Sequence, residues 1–183
     1  MARVLVPLAQ GCEEIEAVTI IDLLRRAGIE VISAGLDAKP VRASRGVMLI
    51  PDTTLDDALK HAYDMVVLPG GQPGTNNLDA DDRIRALLKK MAEAGKFTAA
   101  ICAAPKVLAN AGLLEGKRAT AFPGTLEKLH LTDTRLEHAP VVKDGKVITS
   151  RGPGTAMDFA LSLIEILVSK AKRDEVEAEL QRP

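Results

Sequence analysis

A strand followed by a sharp turn and a short helix, in the middle of the chain, most constrains how this sequence can fold. Small and β-favouring residues from Phe97 to Ile101 predict a buried strand, and Ala103 to Ala111, closed by Gly112, predict a helix. Cys102 lies on the turn between them. On such a turn in serine hydrolases, the nucleophile projects from the top of the sheet and the next N–H faces an oxyanion. Cys102 is therefore a candidate nucleophile.

The position of Cys102 also bears on its reactivity. A thiol beside a helix N-terminus lies at the positive end of the helix dipole, which favours the thiolate and predicts a low pKa. The small neighbours Ala100, Ala103 and Ala104 leave room around the sulfur. A free cysteine can equally serve as a small buried hydrophobe. The local pattern alone leaves both interpretations open.

Length and charge narrow the class of protein. The 183 residues fit one domain, residues 1–183, with a formal net charge of -1 and no dense Lys/Arg run, so nucleic acid and membrane surfaces are not expected partners. Two cysteines are too few for a disulfide framework, and neither a signal peptide nor an apolar run of about 20 residues is present. We expect a cytoplasmic protein whose partner is a small molecule or another protein.

Apolar runs along the chain alternate with helical patterns. They predict five strands, Val4–Ala9, Glu30–Ala34, Met65–Leu68, Phe97–Ile101 and Arg118–Ala121, a weaker one at Met48–Ile50, and a hairpin around Asp144-Gly145. Helices are expected from Glu13 to Ala27, from Thr54 through Lys60, over Asp82–Ala94, from Thr155 to Val168, and over Ala171–Gln181. This alternation predicts an α/β sandwich, with a mostly parallel sheet covered by helices on both faces.

Three turns follow strands of this predicted sheet: Gly11–Glu16, Gly70–Gly74 and the turn at Cys102. Ligands of such folds bind outside the carboxyl ends of the strands. We therefore expect the three turns to converge on one site.

Three glutamates, Glu13, Glu14 and Glu16, open the helix after the first strand. The helix dipole ordinarily explains acidic residues there. On a helical wheel, however, Glu13 and Glu16 project onto the apolar stripe, whereas Glu14 points away from it, and a buried carboxylate needs a partner. The Cys102 thiol would be such a partner, and burial would raise the carboxyl pKa so that it could exchange a proton with sulfur. The wheel leaves Glu13 and Glu16 as alternatives.

The Gly70-Gly71 turn has two interpretations. The two glycines can serve only to let the backbone turn after the strand. Alternatively, the Gly71 N–H faces the Cys102 pocket and forms, with the Ala103 N–H, a pair of oxyanion donors.

Other residues near the predicted turns are ambiguous. Arg151, with the glycines that follow it, could bind an anion at a helix N-terminus, although a hairpin exit and a helix cap explain the same loop. Cys12 could act as a resolving thiol for Cys102, although the need for a small residue in a tight turn also explains a cysteine at this position. The histidines show no ligand spacing, so we expect no metal site.

Four motifs carry a resemblance to a known family: GCEEIEAV (11–18), VVLPGG (66–71), AAICAAP (99–105) and SRGPGT (150–155). Together they resemble the ThiJ/PfpI family of the class-I-glutaminase-like superfamily, close to its YajL-like bacterial branch, over essentially the whole chain. The resemblance implies a flavodoxin-like sandwich, usually homodimeric and without a cofactor. It also implies that Cys102 is the reactive, oxidation-prone cysteine, that Glu16 is its partner, and that Gly71 and Ala103 are backbone donors.

Two positions depart from the family pattern. Many members have a histidine near the site where this chain has Phe122, so a Cys-His-acid triad cannot be carried over. The peptidase branch has a histidine directly after the cysteine, where this chain has Ala103, which disfavours proteolysis.

Family members are described as glutathione-independent glyoxalases, protein deglycases and oxidative-stress chaperones. The leading hypothesis is therefore a cofactor-free cysteine enzyme acting on reactive dicarbonyls or their early adducts, with Cys102 as nucleophile and Glu16 as proton shuttle. A rival hypothesis is a redox sensor or chaperone in which Cys102 is oxidised without turnover. A third is a hydratase or amidase acting on a small electrophile.

Overall fold

The computed structural model describes residues 1–183 and contains eleven short strands. They are β1 (Arg3–Leu8), β2 (Glu30–Gly35), β3 (Val41–Arg42), β4 (Met48–Leu49), β5 (Thr53–Thr54), β6 (Met65–Leu68), β7 (Phe97–Ile101), β8 (Arg118–Ala119), β9 (Arg135–Leu136), β10 (Val141–Asp144) and β11 (Val147–Ser150). Seven of them form one sheet in the order β10-β11-β7-β6-β1-β2-β5. Every pairing in it is parallel except that of β10 with β11. The order β2-β1-β6-β7-β11 within this sheet is the flavodoxin-like 2-1-3-4-5 arrangement.

Seven α-helices cover this sheet. They are α1 (Glu14–Arg26), α2 (Leu55–Ala58), α3 (Gly74–Ala80), α4 (Asp82–Glu93), α5 (Pro105–Asn110), α6 (Ala156–Leu167) and α7 (Lys170–Glu179). None of them is long and apolar enough to cross a membrane.

The core is divided between the two faces of the sheet. Side chains of α1, α6 and α7 pack in one apolar cluster, and those of α2 to α5 pack in the other. Successive residues of β6 alternate between the clusters, as the pleat requires: Val66 belongs to one and Val67 to the other. The predicted three-layer sandwich is therefore confirmed.

Some elements differ from the prediction. The helix α3 was not predicted, because its sequence GTNNLDA contains glycine, threonine and asparagine, which have low helix propensity. Residues Met48–Leu49 and Arg118–Ala119 do form strands, but each is a two-residue strand in a separate small sheet. The helix after Cys102 begins at Pro105 rather than Ala103. The predicted hairpin is confirmed as β10 and β11.

The strand order places the predicted turns together. β6 pairs with β1 on one side and β7 on the other, so the loops after these three strands leave the sheet at neighbouring positions. The junction between β1 and β6 is also where the chain reverses its direction of winding across the sheet, which is the usual ligand position in this fold.

Candidate active site

The backbone of Cys102 adopts an uncommon conformation. Its φ angle is 64°, in the left-handed region that side-chain-bearing residues seldom occupy. Hydrogen bonds on both sides hold the residue there: its N–H donates to the Ser150 carbonyl at 3.0 Å, and its carbonyl accepts from the Phe122 N–H at 2.8 Å. The side chain, 9% exposed, lines a cavity of about 550 Å³. The sulfur is thus fixed at the end of β7 and reachable from solvent.

Glu16 lies in the first turn of α1 and is completely buried. Its Oε2 accepts a hydrogen bond from the Gly70 N–H at 2.8 Å. Its Oε1 has no hydrogen-bond partner. Hydrogen bonding to the Cys102 side chain contributes to the pKa of the carboxyl group. The structure thus brings Glu16 to Cys102, whereas Glu13 caps α1 by accepting from the Glu16 N–H at 2.8 Å.

Burial has a large effect on the Glu16 carboxyl group. It raises the pKa to about 7, although hydrogen bonds from Cys102 and the Gly70 N–H oppose the change. The carboxyl group therefore exchanges its proton in the neutral range, as a general acid or base requires.

The low thiol pKa predicted for Cys102 is wrong for the form in which Glu16 is ionised. Burial and the adjacent carboxylate raise the pKa of Cys102 to about 12, against the opposing effect of the Gly71 and Ala103 N–H groups. The helix dipole that motivated the prediction is small, because α5 has six residues. Once Glu16 is protonated its repulsion disappears, and a carboxyl O–H can donate to the sulfur and stabilise the thiolate. Thiol and carboxyl therefore titrate as a pair.

Gly71 needs to be a glycine. Its φ angle is 90°, and a Cβ atom there would lie 2.4 Å from the Glu13 backbone nitrogen. This close packing against the turn after β1 places the Gly71 N–H, together with that of Ala103, beside the Cys102 sulfur. Their function as oxyanion donors stays a prediction.

Glu14 differs from its sequence interpretation. The wheel directs it away from the core, yet it is buried, and its carboxylate accepts hydrogen bonds from the Ser44 hydroxyl at 3.0 Å and the Arg45 N–H at 2.9 Å. Burial works against ionisation, but hydrogen bonding by the Glu14 N–H itself, by the Ser44 hydroxyl and by the N–H groups of Arg45 and Val47 outweighs it and lowers the pKa of Glu14. Glu14 thereby fixes the loop that contains Arg45 at the rim of the cavity.

The three remaining predicted residues have different surroundings. Phe122 lines the cavity. Arg151 does not line it and instead places a guanidinium nitrogen 3.0 Å from His138 Nδ1 and 3.2 Å from the His138 carbonyl oxygen. Cys12 is 1% exposed, and burial raises the pKa of its thiol to about 12, which argues against a resolving thiol. No cluster of His, Cys, Asp and Glu suited to a metal ion is found.

Sequence reasoning missed three basic residues of the cavity, Arg45, Lys106 and Lys128. They come from three separate loops and helices and belong to no local motif, so only the folded chain brings them together.

Comparison with known proteins identifies the family of this chain. Residues 2–166 match the model of the DJ-1/PfpI family. The chain belongs to the DJ-1/PfpI family. This confirms the resemblance seen in its motifs, since ThiJ/PfpI is another name for the same group.

Individual members of the DJ-1/PfpI family are similar over nearly the whole chain. The crystal structure of Drosophila melanogaster DJ-1beta superposes with a TM-score of 0.95 at 42% identity and covers 100% of this chain and 98% of its own. Caenorhabditis elegans glutathione-independent glyoxalase DJR-1.2 is 35% identical over 175 residues, 96% of this chain and 92% of the relative. Arabidopsis thaliana DJ-1 homolog B is 47% identical over 173 residues, 93% of this chain. The chain spans only 39% and 45% of the Arabidopsis homologues B and A.

Proposed function

We propose that this protein is a cofactor-independent cysteine enzyme that converts reactive dicarbonyls, free or as early adducts on amines and thiols, into hydroxy acids. The observation that carries the proposal is the buried Glu16 carboxyl group beside Cys102, with a pKa of about 7. The name of the nematode relative, a glutathione-independent glyoxalase, supports the same chemistry.

The reaction begins with addition of Cys102 to the aldehyde. A carbon–sulfur bond forms and the carbonyl π bond breaks, while the single proton of the Cys102–Glu16 pair ends on the new hydroxyl oxygen. The N–H groups of Gly71 and Ala103 stabilise the oxygen as it gains charge. The product is a hemithioacetal on Cys102.

Glu16 then moves a proton between neighbouring carbons. As a carboxylate it removes the proton from the former aldehyde carbon and gives an enediolate, and the resulting carboxylic acid returns that proton to the former ketone carbon. The hydroxyl proton on the first carbon passes to the oxygen of the second, so that a thioester and an alcohol form. The first carbon is oxidised to a thioester and the second is reduced to an alcohol, so no external oxidant is needed. Water hydrolyses the thioester and releases the hydroxy acid and the Cys102 thiol.

The test is lactate formation from methylglyoxal without glutathione. We expect turnover by the wild type, a loss of at least about 100-fold in Cys102→Ser and in Glu16→Gln, and near-normal turnover in Cys12→Ala, because Cys12 lies outside the cavity. A wild type with an intact Cys102 thiol that forms no lactate would disprove the proposal.

A second candidate function is redox sensing. Cys102 combines access to solvent with two N–H groups beside the sulfur, an arrangement that would also stabilise a sulfenate or sulfinate formed with hydrogen peroxide. Glu16→Gln separates the two functions: a sensor still gains one or two oxygen atoms on Cys102, measured by intact mass, whereas an enzyme loses its proton shuttle.

A further inference from the structure

The cavity over Cys102 is more positive than negative. Its positively charged lining residues are Arg45, Lys106 and Lys128, and its negatively charged lining residue is Glu13. The Glu13 carboxylate already accepts a hydrogen bond from the Glu16 N–H as the cap of α1. An incoming molecule therefore meets three cations and one carboxylate.

None of the three cations is neutralised by an acidic side chain. No ion pair within 4.0 Å involves Arg45, Lys106 or Lys128. The Lys106 ammonium donates to the neutral Asn76 amide oxygen at 3.1 Å, and the Arg45 guanidinium has only a long 3.5 Å contact with the Ser44 carbonyl. This differs from the rest of the surface, where Arg and Lys side chains commonly pair with Asp or Glu.

The cavity is also large for a small dicarbonyl. Its volume of about 550 Å³ equals that of about 18 water molecules in the liquid. A molecule as small as methylglyoxal, bound at Cys102, leaves most of this space unfilled. The cavity therefore has room for a longer substrate, and its lining includes all three cations.

We propose that the preferred substrates are α-oxoaldehydes with an anionic tail, a carboxylate or a phosphate, which Lys106, Lys128 and Arg45 hold while Cys102 attacks the aldehyde. The substrate class rests on the function proposed above, whereas the attraction of anions to Cys102 does not. With 4,5-dioxopentanoate as the probe, water is added, the aldehyde carbon becomes a carboxylate, the ketone carbon becomes an alcohol, and the product is 2-hydroxyglutarate.

The attraction can be measured without turnover by alkylation of Cys102. Iodoacetate and iodoacetamide are similar in size and differ by one negative charge, so the ratio of their rates reports the local potential, and any change in thiol pKa cancels. Each nearby cation should change this ratio by about threefold at low salt. We expect the ratio at Cys102 to exceed that of N-acetylcysteine by roughly tenfold and to fall as sodium chloride is added.

Single charge removals identify the residues responsible. Lys106→Met, Lys128→Met and Arg45→Met should each lower the ratio about threefold, and Lys106→Arg should restore it. Lys89→Met is the matched control, because Lys89 is exposed on α4 and lies outside the cavity. A wild-type ratio no higher than that of N-acetylcysteine, or one that none of the three removals changes, would overturn the proposal.

Turnover then separates this inference from the proposed function. We expect kcat/KM for 4,5-dioxopentanoate to exceed that for its methyl ester about tenfold, or kcat/KM for hydroxypyruvaldehyde phosphate to exceed that for hydroxypyruvaldehyde about tenfold. If the first ratio is the larger, the site prefers a carboxylate; if the second is the larger, it prefers a phosphate. A preference for neither anion, in an enzyme that turns over methylglyoxal, refutes the substrate class alone. No turnover of any of these aldehydes, together with a high alkylation ratio, refutes the proposed function and leaves the anion site in place.

Discussion

Glu16 and Cys102 come together across Gly70, which has no side chain to separate them. A Cβ atom on Gly70 would lie 2.6 Å from Cys102 Cβ and 2.8 Å from Glu16 Oε2. The Gly70 N–H also donates to that same carboxylate oxygen. One residue in the loop after β6 therefore both spaces and orients the acid and the nucleophile, which come from the first turn of α1 and the turn after β7.

Gly70→Ala should consequently damage the site. The added methyl group also meets the Ile101 carbonyl oxygen at 2.8 Å, so the backbone or both side chains must shift. We expect a loss of at least about tenfold in kcat/KM for methylglyoxal and about 1 to 3 kcal/mol in the free energy of unfolding. Steady-state kinetics and urea denaturation measure the two effects.

Gly154→Ala is the control for this substitution. Neither Gly70 nor Gly154 has a positive φ angle, but a Cβ on Gly154 has nothing within 4 Å. Its stability should change by about 0.5 kcal/mol or less. Equal kinetic effects of the two substitutions would show that Gly70 has no special function in spacing the pair.

The buried Glu16 should make stability depend on pH in an unusual direction. Its pKa rises from 4.5 to about 7 on folding, so the folded state favours the neutral carboxyl group. The contribution of Glu16 to the free energy of unfolding is thus fully present below the unfolded pKa and is lost as the pH rises through 7. Between pH 5 and 8.5, the wild type should lose about 2 to 3 kcal/mol of unfolding free energy relative to Glu16→Gln, measured by urea denaturation.

Glu14→Gln provides the opposite case on the same helix. The folded pKa of Glu14 is lowered, so its contribution is present above the unfolded pKa and is lost only as the pH falls below it. The free-energy difference between the wild type and Glu14→Gln should stay constant between pH 5 and 8.5. A flat difference for Glu16→Gln as well would mean that burial does not raise the Glu16 pKa.

Local patterns predicted much of this arrangement, and tertiary contacts decided the rest. The strand, turn and helix around Cys102 and the wheel of α1 are readable from neighbouring residues, so Cys102 and the pair Glu13/Glu16 were found. The function of Glu14 depends on hydrogen bonds from the loop at residues 44–45. A helical wheel shows only residues of the helix itself, so it could not predict this contact. Likewise, the pKa of Cys102 depends on burial and on Glu16 far away in sequence, and these outweigh the local helix dipole.

We also propose a homodimer, as the family resemblance implies, formed through the apolar surface near the start of α1. Exposed apolar side chains there are Ile15, Val18, Val47, Met48 and Met157. α6, which carries Met157, packs along α1, and Glu14 draws the loop before Val47 towards the same helix. Exposed patches of this kind commonly mark association surfaces.

Ile15→Glu should therefore disrupt association, because it would bury a charge in the interface. We expect sedimentation equilibrium to show a dimer for the wild type and at least about a tenfold weaker association for the variant. Leu136→Glu, an exposed apolar position on β9, should leave the dimer intact. A monomeric wild type at high concentration would contradict the proposal.

The pH dependence of Cys102 reactivity should reveal the titration of the pair. The reactive species is the one in which Cys102 and Glu16 together hold a single proton, and it forms as the first proton leaves at a pKa of about 7. Both kcat/KM for methylglyoxal and the rate of iodoacetamide alkylation should therefore rise about tenfold per pH unit below 7 and level off above it. In Glu16→Gln this inflection should vanish from the alkylation profile, because only the thiol still titrates. If the inflection near pH 7 persists in Glu16→Gln, it belongs to another group, and Glu16 is not the residue that exchanges a proton with Cys102.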